Sequence, residues 1–365
     1  MSVTDHSSFF YIIGVPVDLL RVPKDFIVLA SDPLTISAFM PLPLTRDVLA
    51  ANVGQIFRLS GGKPTLLSSL VVFCSSFAIL GTPIWVLALA YYFYKNVSWE
   101  NKKIAFTGLF AMYIFWPKKL NVRKWKLWDS WYNYFQVSLV VDDPSVLRTS
   151  APYMFATVPH GIFPFGQAFS LVGKMSDLFE GLRPITVSAA MQVPLVGTLL
   201  RSVDAVLAGR DDIKAALRKN SNMMIDPGGV REMFYSGLDQ EVGLLLNRKG
   251  FIKLAIEEGV TILPVYIFGN SQTYYLWPFF QYLEGISSKL GVSLTPFYGR
   301  LPFIWFPNFV KLLYVVAKPI VVSKKLNPSQ HDIDLVHRKF IDSIRSVYFK
   351  YRGVYGWGSR KLKLI

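Results

Sequence analysis

The sequence predicts an α/β fold, a sheet flanked by helices, preceded by an N-terminal apolar helical hairpin. Three observations predict it. Beyond residue 125 short β-rich runs alternate with helical ones, residues 65–94 carry no charged side chain, and that apolar stretch is interrupted at Gly81-Thr82-Pro83.

Taken in order, residues 1–60 are punctuated by Pro16, Pro23, Pro33, Pro41 and Pro43 and read as an irregular arm with short helices. Residues 61–120 form the second part. A straight helix over 65–94 would be about 45 Å long against a hydrocarbon core of roughly 30 Å, while two full crossings need about 40 residues. The break therefore favours a short membrane hairpin that enters and leaves by one face, with a single tilted, kinked span as the alternative. Residues 104–116 are too short to cross and end in aromatics, as an interfacial helix does. Residues 121–365 make the α/β domain, with strands expected at 153–158, 184–188, 222–225, 261–268 and 313–322. Helices are expected at 210–219, 248–258 and 333–350.

Hydrophobic residues make up 52% of the chain and charged ones only 17%, below the roughly 25% usual for soluble chains, so apolar surface is left for a lipid or a partner. The net charge of +15 suits an anionic partner: phospholipid headgroups, nucleic acid, or a phosphate-bearing cosubstrate such as coenzyme A. Lys102, Lys103, Lys118, Lys119, Arg123, Lys124 and Lys126 flank apolar segments, as expected of a segment held against a cytosolic leaflet; an ordinary solvated basic face is the competing reading. No nucleic-acid module is present, so no nucleic-acid partner is expected. Cys74 is the only cysteine, which excludes an intrachain disulfide and Cys-ligated metal sites; neither metal nor other cofactor is expected. The start MSVTDHSS offers no basic region ahead of the apolar stretch 9–20, which argues against a cleaved secretory signal and for a cytosolic catalytic part. Hydrolase and nucleotide-binding readings lack G-x-S-x-G, Walker and G-x-G-x-x-G patterns.

Of four histidines, His160 alone directly follows a hydrophobic strand, at the kind of position where α/β enzymes place reactive groups. Pro159 restricts the backbone before it and Gly161 permits close approach after it. Asp226-Pro227-Gly228-Gly229-Val230-Arg231-Glu232 lies at another strand end, where paired glycines expose N–H groups able to meet a developing oxyanion; a plain tight turn is the alternative. Arg248, Lys249, Gly250, Phe251 and Lys253 set three cations around a helix start, where phosphate is welcome.

These motifs, in this order and spacing from residue 65 onward, resemble the type 2 diacylglycerol acyltransferases and their monoacylglycerol and wax-ester relatives. The marks are Pro159-His160-Gly161, Pro227-Gly228-Gly229 with Glu232, and Arg248 through Ala255 leading to Gly259, Pro264-Val265-Tyr266 and Phe268-Gly269. Position 158, usually His or Glu in the family, is Val here, so no acid or base stands there. The His-x4-Asp of glycerol-phosphate acyltransferases is also missing, Phe165 standing where the Asp would fall. A formal His-x4-Asp at His337 and Asp342 puts its two side chains about 140° apart on a polar helix and reads as coincidence.

The resemblance implies an acyltransferase-like sheet on which His160 takes the proton of an acylglycerol hydroxyl as it attacks the thioester of acyl-CoA, with no acyl-enzyme. Glu232, preferred over Asp226, would orient the base. Gly228 and Gly229 would meet the oxyanion, and Arg248 and Lys253 the phosphates. It further implies diacylglycerol as acceptor, with monoacylglycerol or fatty alcohol competing, and an endoplasmic reticulum membrane location extending to lipid droplets. Lys361 and Lys363 resemble a dilysine retrieval signal. A homodimer is a further expectation, and a non-catalytic lipid-binding scaffold the distant alternative.

Overall fold

The computed structural model describes residues 54, 56–98, 100–104, 107, 118–143, 152–193, 195–235, 239–280, 282–290 and 295–365. Residues 1–53 of the expected arm over 1–60, and most of the expected interfacial helix at 104–116, lie outside them. All described residues belong to one compact unit, Phe39–Ile365.

The strands in chain order are β1 (Phe57–Arg58), β2 (Ser138–Val141), β3 (Tyr153–Val158), β4 (Arg183–Thr186), β5 (Val206–Leu207), β6 (Met223–Ile225), β7 (Gln240–Gly243), β8 (Thr261–Phe268), β9 (Tyr275–Leu276), β10 (Phe297–Tyr298), β11 (Leu313–Val316) and β12 (Lys361–Leu364). The helices that bear on the site are α1 (Leu66–Leu80), α2 (Thr82–Asn96), α3 (Leu127–Tyr134), α4 (Phe165–Phe169), α5 (Arg210–Arg218), α6 (Gly250–Glu258), α7 (Leu283–Leu290) and α8 (Gln330–Tyr355). Eight strands form one sheet in the order β1-β2-β11-β8-β3-β6-β4-β5. At its centre β3 runs parallel to β8 on one side and β6 on the other, with Val158 opposite Tyr266 and Ala156 opposite Ile225. The expected sheet flanked by helices is therefore present.

The central strands read as continuous apolar runs because both their faces are covered. Phe155, Leu263, Val265 and Ile267 face one core, with Val72 of α1 and Trp131, Tyr132 and Tyr134 of α3. Met154, Ala156, Ile262, Tyr266 and Phe268 face the other, under Ile252 and Ala255 of α6 and Phe340, Ile344 and Tyr348 of α8. Strand 313–322 is cut short at Val316, just ahead of Lys318-Pro319, and pairing resumes only as an isolated bridge from Ile320 to Ile262. Proline cannot donate to a ladder.

Of the N-terminal hairpin expectation, the described residues show the two helices and the break between them. The helix starts on a capping box in which Thr65 and Ser68 exchange bonds and breaks at Gly81, where a Cβ would lie 2.5 Å from the Phe77 carbonyl oxygen. Each resulting helix has 15 residues, about 22 Å of rise, and among the described residues no helix is long and apolar enough to cross a membrane. Rather than standing apart, α1 docks on the α/β core: Trp131 Nε1 donates to Ser75 Oγ at 3.0 Å, and Phe73 meets the rings of Phe303, Trp305 and Phe306. α2 differs, exposing Leu87, Leu89, Tyr91, Tyr92 and Tyr94. The basic run near 118–126 is also partly engaged, since the Arg123 guanidinium donates to the carbonyls of Leu171, Leu182 and Val203 and Lys119 pairs with Asp204.

A parallel pair, β12 on β7, closes the chain back onto the domain. Arg360, just before β12, reaches the buried Glu241 of β7 at 2.7 Å. Lys361 and Lys363 lie in this strand with exposed side chains.

Candidate active site

Three adjacent parallel strands deliver their carboxyl ends to one edge of the sheet. Pro159-His160-Gly161 follows β3, Asp226-Pro227-Gly228-Gly229 follows β6, and Gly269-Asn270 follows β8. This edge is where open α/β sheets offer a crevice to ligands.

His160 is 9% exposed. Its Nδ1 lies 2.8 Å from the Gly161 carbonyl oxygen. A carbonyl only accepts, so Nδ1 carries a proton, and in the neutral ring Nε2 then keeps the lone pair that a general base requires. The main chain around the ring is held by side chains from elsewhere: the His160 N–H donates to Glu232 Oε2 at 2.7 Å, and the Pro159 and His160 carbonyls accept from Asn270 Nδ2 at 2.9 and 2.8 Å. Gly161 has φ +70°, and a Cβ there would meet the Asn270 carbonyl oxygen at 2.9 Å.

Glu232 differs from its expected role. Its two oxygens accept main-chain N–H groups, Oε2 from His160 and Oε1 from Leu244 at 2.8 Å; it fixes the peptide that bears the base and makes no hydrogen bond to the ring. The carboxyl nests against Gly228, where a Cβ would lie 2.5–2.6 Å from its atoms. Burial pushes it up to about 7, against the two N–H donors that favour the anion. Asp226 is likewise raised by burial, opposed by the electrostatic influence of the neighbouring His160 and by hydrogen bonds from Thr157 and Gln167. Neither carboxylate orients the imidazole directly in this geometry.

The glycine turn is in place, but the Gly229 N–H, expected to meet an oxyanion, closes the turn itself by donating to the Asp226 carbonyl at 3.0 Å. Pro227 lies within that turn, and Gly229, at φ +61°, has the backbone form that favours glycine there.

Arg248, Lys249, Gly250 and Lys253 surround the start of α6 as expected, three residues beyond the Leu244-Leu245 segment that supports Glu232. Lys249 pairs with Asp334 of α8 at 2.8 Å and Lys253 sits 4.0 Å from Glu257. Phe251 departs from its assignment: it is buried against Phe340, ring centroids 5.1 Å apart, so it is core rather than ligand contact. Beside this helix start opens a groove of about 600 Å³ lined by Lys249, His331, Arg338 and Arg345 together with Asp334 and Asp342. His337 is anchored to the Leu245 carbonyl through Nε2 at 2.9 Å, while the Asp342 side chain is 75% exposed; they form no dyad.

Sequence reading missed Thr157, Gln167 and Asn270, all buried around the loop. The strand-end argument that singled out His160 applies equally to Asn270, two residues past β8.

A histidine with an uncommitted ring nitrogen at such an edge is equipped to take a proton from an attacking hydroxyl, and relatives identify the reaction class. The family model described as diacylglycerol acyltransferase matches residues 78–364. The chain is 29% identical to diacylglycerol O-acyltransferase 2 of Homo sapiens over 297 residues, 76% of this chain and 74% of that one. It is 25% identical to acyl-CoA wax alcohol acyltransferase 2 of Homo sapiens over 336 residues, 87% of this chain and 97% of that one. The crystal structure of the 1-acyl-sn-glycerophosphate acyltransferase PlsC from Thermotoga maritima covers 81% of this chain and 96% of its own at a TM-score of 0.43 and 13% identity, a likeness too distant to carry an argument. The molecule is thus an acyl-CoA-dependent O-acyltransferase. It belongs to the diacylglycerol acyltransferase family.

Proposed function

We propose that this enzyme moves a fatty acyl group from acyl-CoA to the free hydroxyl of diacylglycerol, making triacylglycerol, with His160 Nε2 as general base and no acyl-enzyme. The observation that carries the reading is the Nδ1 contact to the Gly161 carbonyl, which leaves Nε2 free at the carboxyl end of the central strand. The acceptor oxygen attacks the thioester carbonyl as its proton passes to Nε2. Collapse of the tetrahedral adduct breaks the C–S bond, and the departing thiolate takes the proton back from the imidazolium. Arg248, Lys249 and Lys253, around the start of α6, fit the phosphates of coenzyme A, and Lys249 lines the groove beside α8.

The exposed apolar side chains of α2 suit a bilayer surface, and a substrate that stays in lipid requires the enzyme to come to it. Residence on the cytosolic side of the endoplasmic reticulum membrane, access to lipid droplets and association of two copies belong to the same proposal. A second reading, fatty alcohol as acceptor, draws on the relative named for wax alcohols, whose length the chain spans almost fully.

The test uses labelled oleoyl-CoA in microsomes of a host lacking its own neutral-lipid acyltransferases, with diacylglycerol, monoacylglycerol and fatty alcohol in competition. Labelled triacylglycerol as main product, lost in normally expressed His160→Ala, is the expected result. Wax ester as main product moves the assignment to the second reading, and full activity in His160→Ala removes His160 as base.

A further inference from the structure

We infer that Asn270 is a positioning residue for the His160 base, its side-chain amide holding the two carbonyls that flank the ring while Glu232 holds the N–H. The inference rests on His160 acting as the base.

Asn270 is fully buried. Its Nδ2 faces three acceptors, the Pro159 carbonyl at 2.9 Å, the His160 carbonyl at 2.8 Å and Gln167 Oε1 at 3.0 Å. Its Oδ1 accepts the Gly166 N–H at 3.0 Å. Three acceptors on one side and a donor on the other fix which end of the amide is nitrogen. Gln167 Nε2 in turn donates to the Pro159 carbonyl at 2.9 Å, and Thr273 Oγ1 donates to the Asn270 carbonyl at 2.8 Å, holding it from behind.

The segment from Pro159 to Gln167 is wound around this one amide. Both of its glycines lack the atom that would crowd it: a Cβ on Gly161 would stand 3.0 Å from Asn270 Nδ2, and one on Gly166 2.9 Å from Asn270 Oδ1. The peptides flanking the ring have no ladder partner beyond Val158, so their polar groups are satisfied by side chains. Glu232 takes the N–H and Asn270 takes both carbonyls. Aspartate at 270 keeps the shape and loses the donors, setting an anion against two carbonyl oxygens and Gln167 Oε1. Misplacing a reacting group by about 1 Å is enough to cost on the order of 10²-fold in rate.

The experiment compares wild type and Asn270→Asp, purified in detergent, for kcat, KM for acyl-CoA, thermal unfolding and pH dependence of kcat. The expected result is a folded variant whose kcat falls by about 10²-fold with KM for acyl-CoA unchanged. Its pH profile should gain a falling limb at high pH that wild type lacks, because the introduced carboxyl must stay protonated to keep one donor, while both proteins lose activity at low pH as the His160 base is protonated. A folded variant with wild-type kcat and pH profile overturns the inference, as does a parallel loss of kcat, KM and melting temperature with no falling limb at high pH. Should Asn270→Asp fail to fold, Asn270→Ser and Gln167→Leu decide: each should lower kcat at constant KM, and wild-type kcat in both overturns the role. An inactive wild type would instead count against the acyl-transfer reading. Carbethoxylation of His160, followed by peptide mass spectrometry, then tests the positioning alone: an unchanged rate at His160 in Asn270→Asp overturns it, and a changed one supports it.

Discussion

The loop that carries His160 and the helix α2 lie at opposite extremes of how this chain satisfies its side chains. Around His160 the flanking carbonyls and the N–H are taken by Asn270 and Glu232, from parts of the chain 110 and 72 residues away. Along α2, Leu87, Tyr91, Tyr92 and Tyr94 turn outward and are at least 57% exposed. Buried polar groups must find partners within the protein, since leaving one unmatched costs about 1–3 kcal/mol. Exposed apolar groups instead call for a medium. The part whose buried polar groups are matched within the protein is therefore the part proposed to do chemistry, and the unpartnered part is the one suited to meet lipid.

The largest expected effect breaks the matched side of this contrast at its centre. His160→Ala should reduce acyl transfer by about 10²–10⁴-fold, the usual worth of a general base, measured against labelled acyl-CoA. Next is the Arg360–Glu241 pair, which ties β12 to β7 and also involves Ser271, whose hydroxyl donates to Glu241 beside Asn270. Arg360→Ala leaves the buried Glu241 carboxylate without its cation and should destabilise by about 3–5 kcal/mol, read as a lowered melting temperature. Replacing both partners together, Arg360→Met with Glu241→Leu, should return much of the loss.

A finer probe is the pH dependence of stability. The Glu232 carboxyl has its folded pKa raised from 4.5 to about 7. Its contribution is therefore complete below pH 4.5 and is lost as pH rises through about 7. Glu232→Gln should flatten the fall in melting temperature across that window, the remaining slope coming from Asp226, which burial raises in the same direction. The smallest effect on the fold is expected at α2. Leu87→Ser with Leu89→Ser should change unfolding stability by no more than about 0.5 kcal/mol while clearly weakening binding to phospholipid vesicles; unchanged vesicle binding would dissolve the contrast.

The sequence announced the two innermost strands at their observed bounds, 153–158 and 261–268, because a strand covered on both faces reads as an unbroken apolar run. The edge strands β1, β5 and β12 escaped notice, being two to four residues long and patterned by partners rather than by composition. The same limit applied to the site. His160 and the glycine turn could be found from local pattern, but Glu232 as an acceptor of main-chain N–H groups, and Phe251 as a core ring, depend on contacts with Leu244, His160 and Phe340. Residue type proposes a chemistry, and the partner decides whether it is used.

Gly228 shows how such a partner can leave its imprint on a sequence. The Glu232 carboxyl fills the space a Cβ would occupy there, so the missing side chain is a mould and the carboxylate four residues later its cast. A search through uncharacterised chains for Gly-x-x-x-Glu after a short apolar strand would amount to looking for a cavity by its outline, and a bulkier residue at the first position would report that the carboxylate had moved.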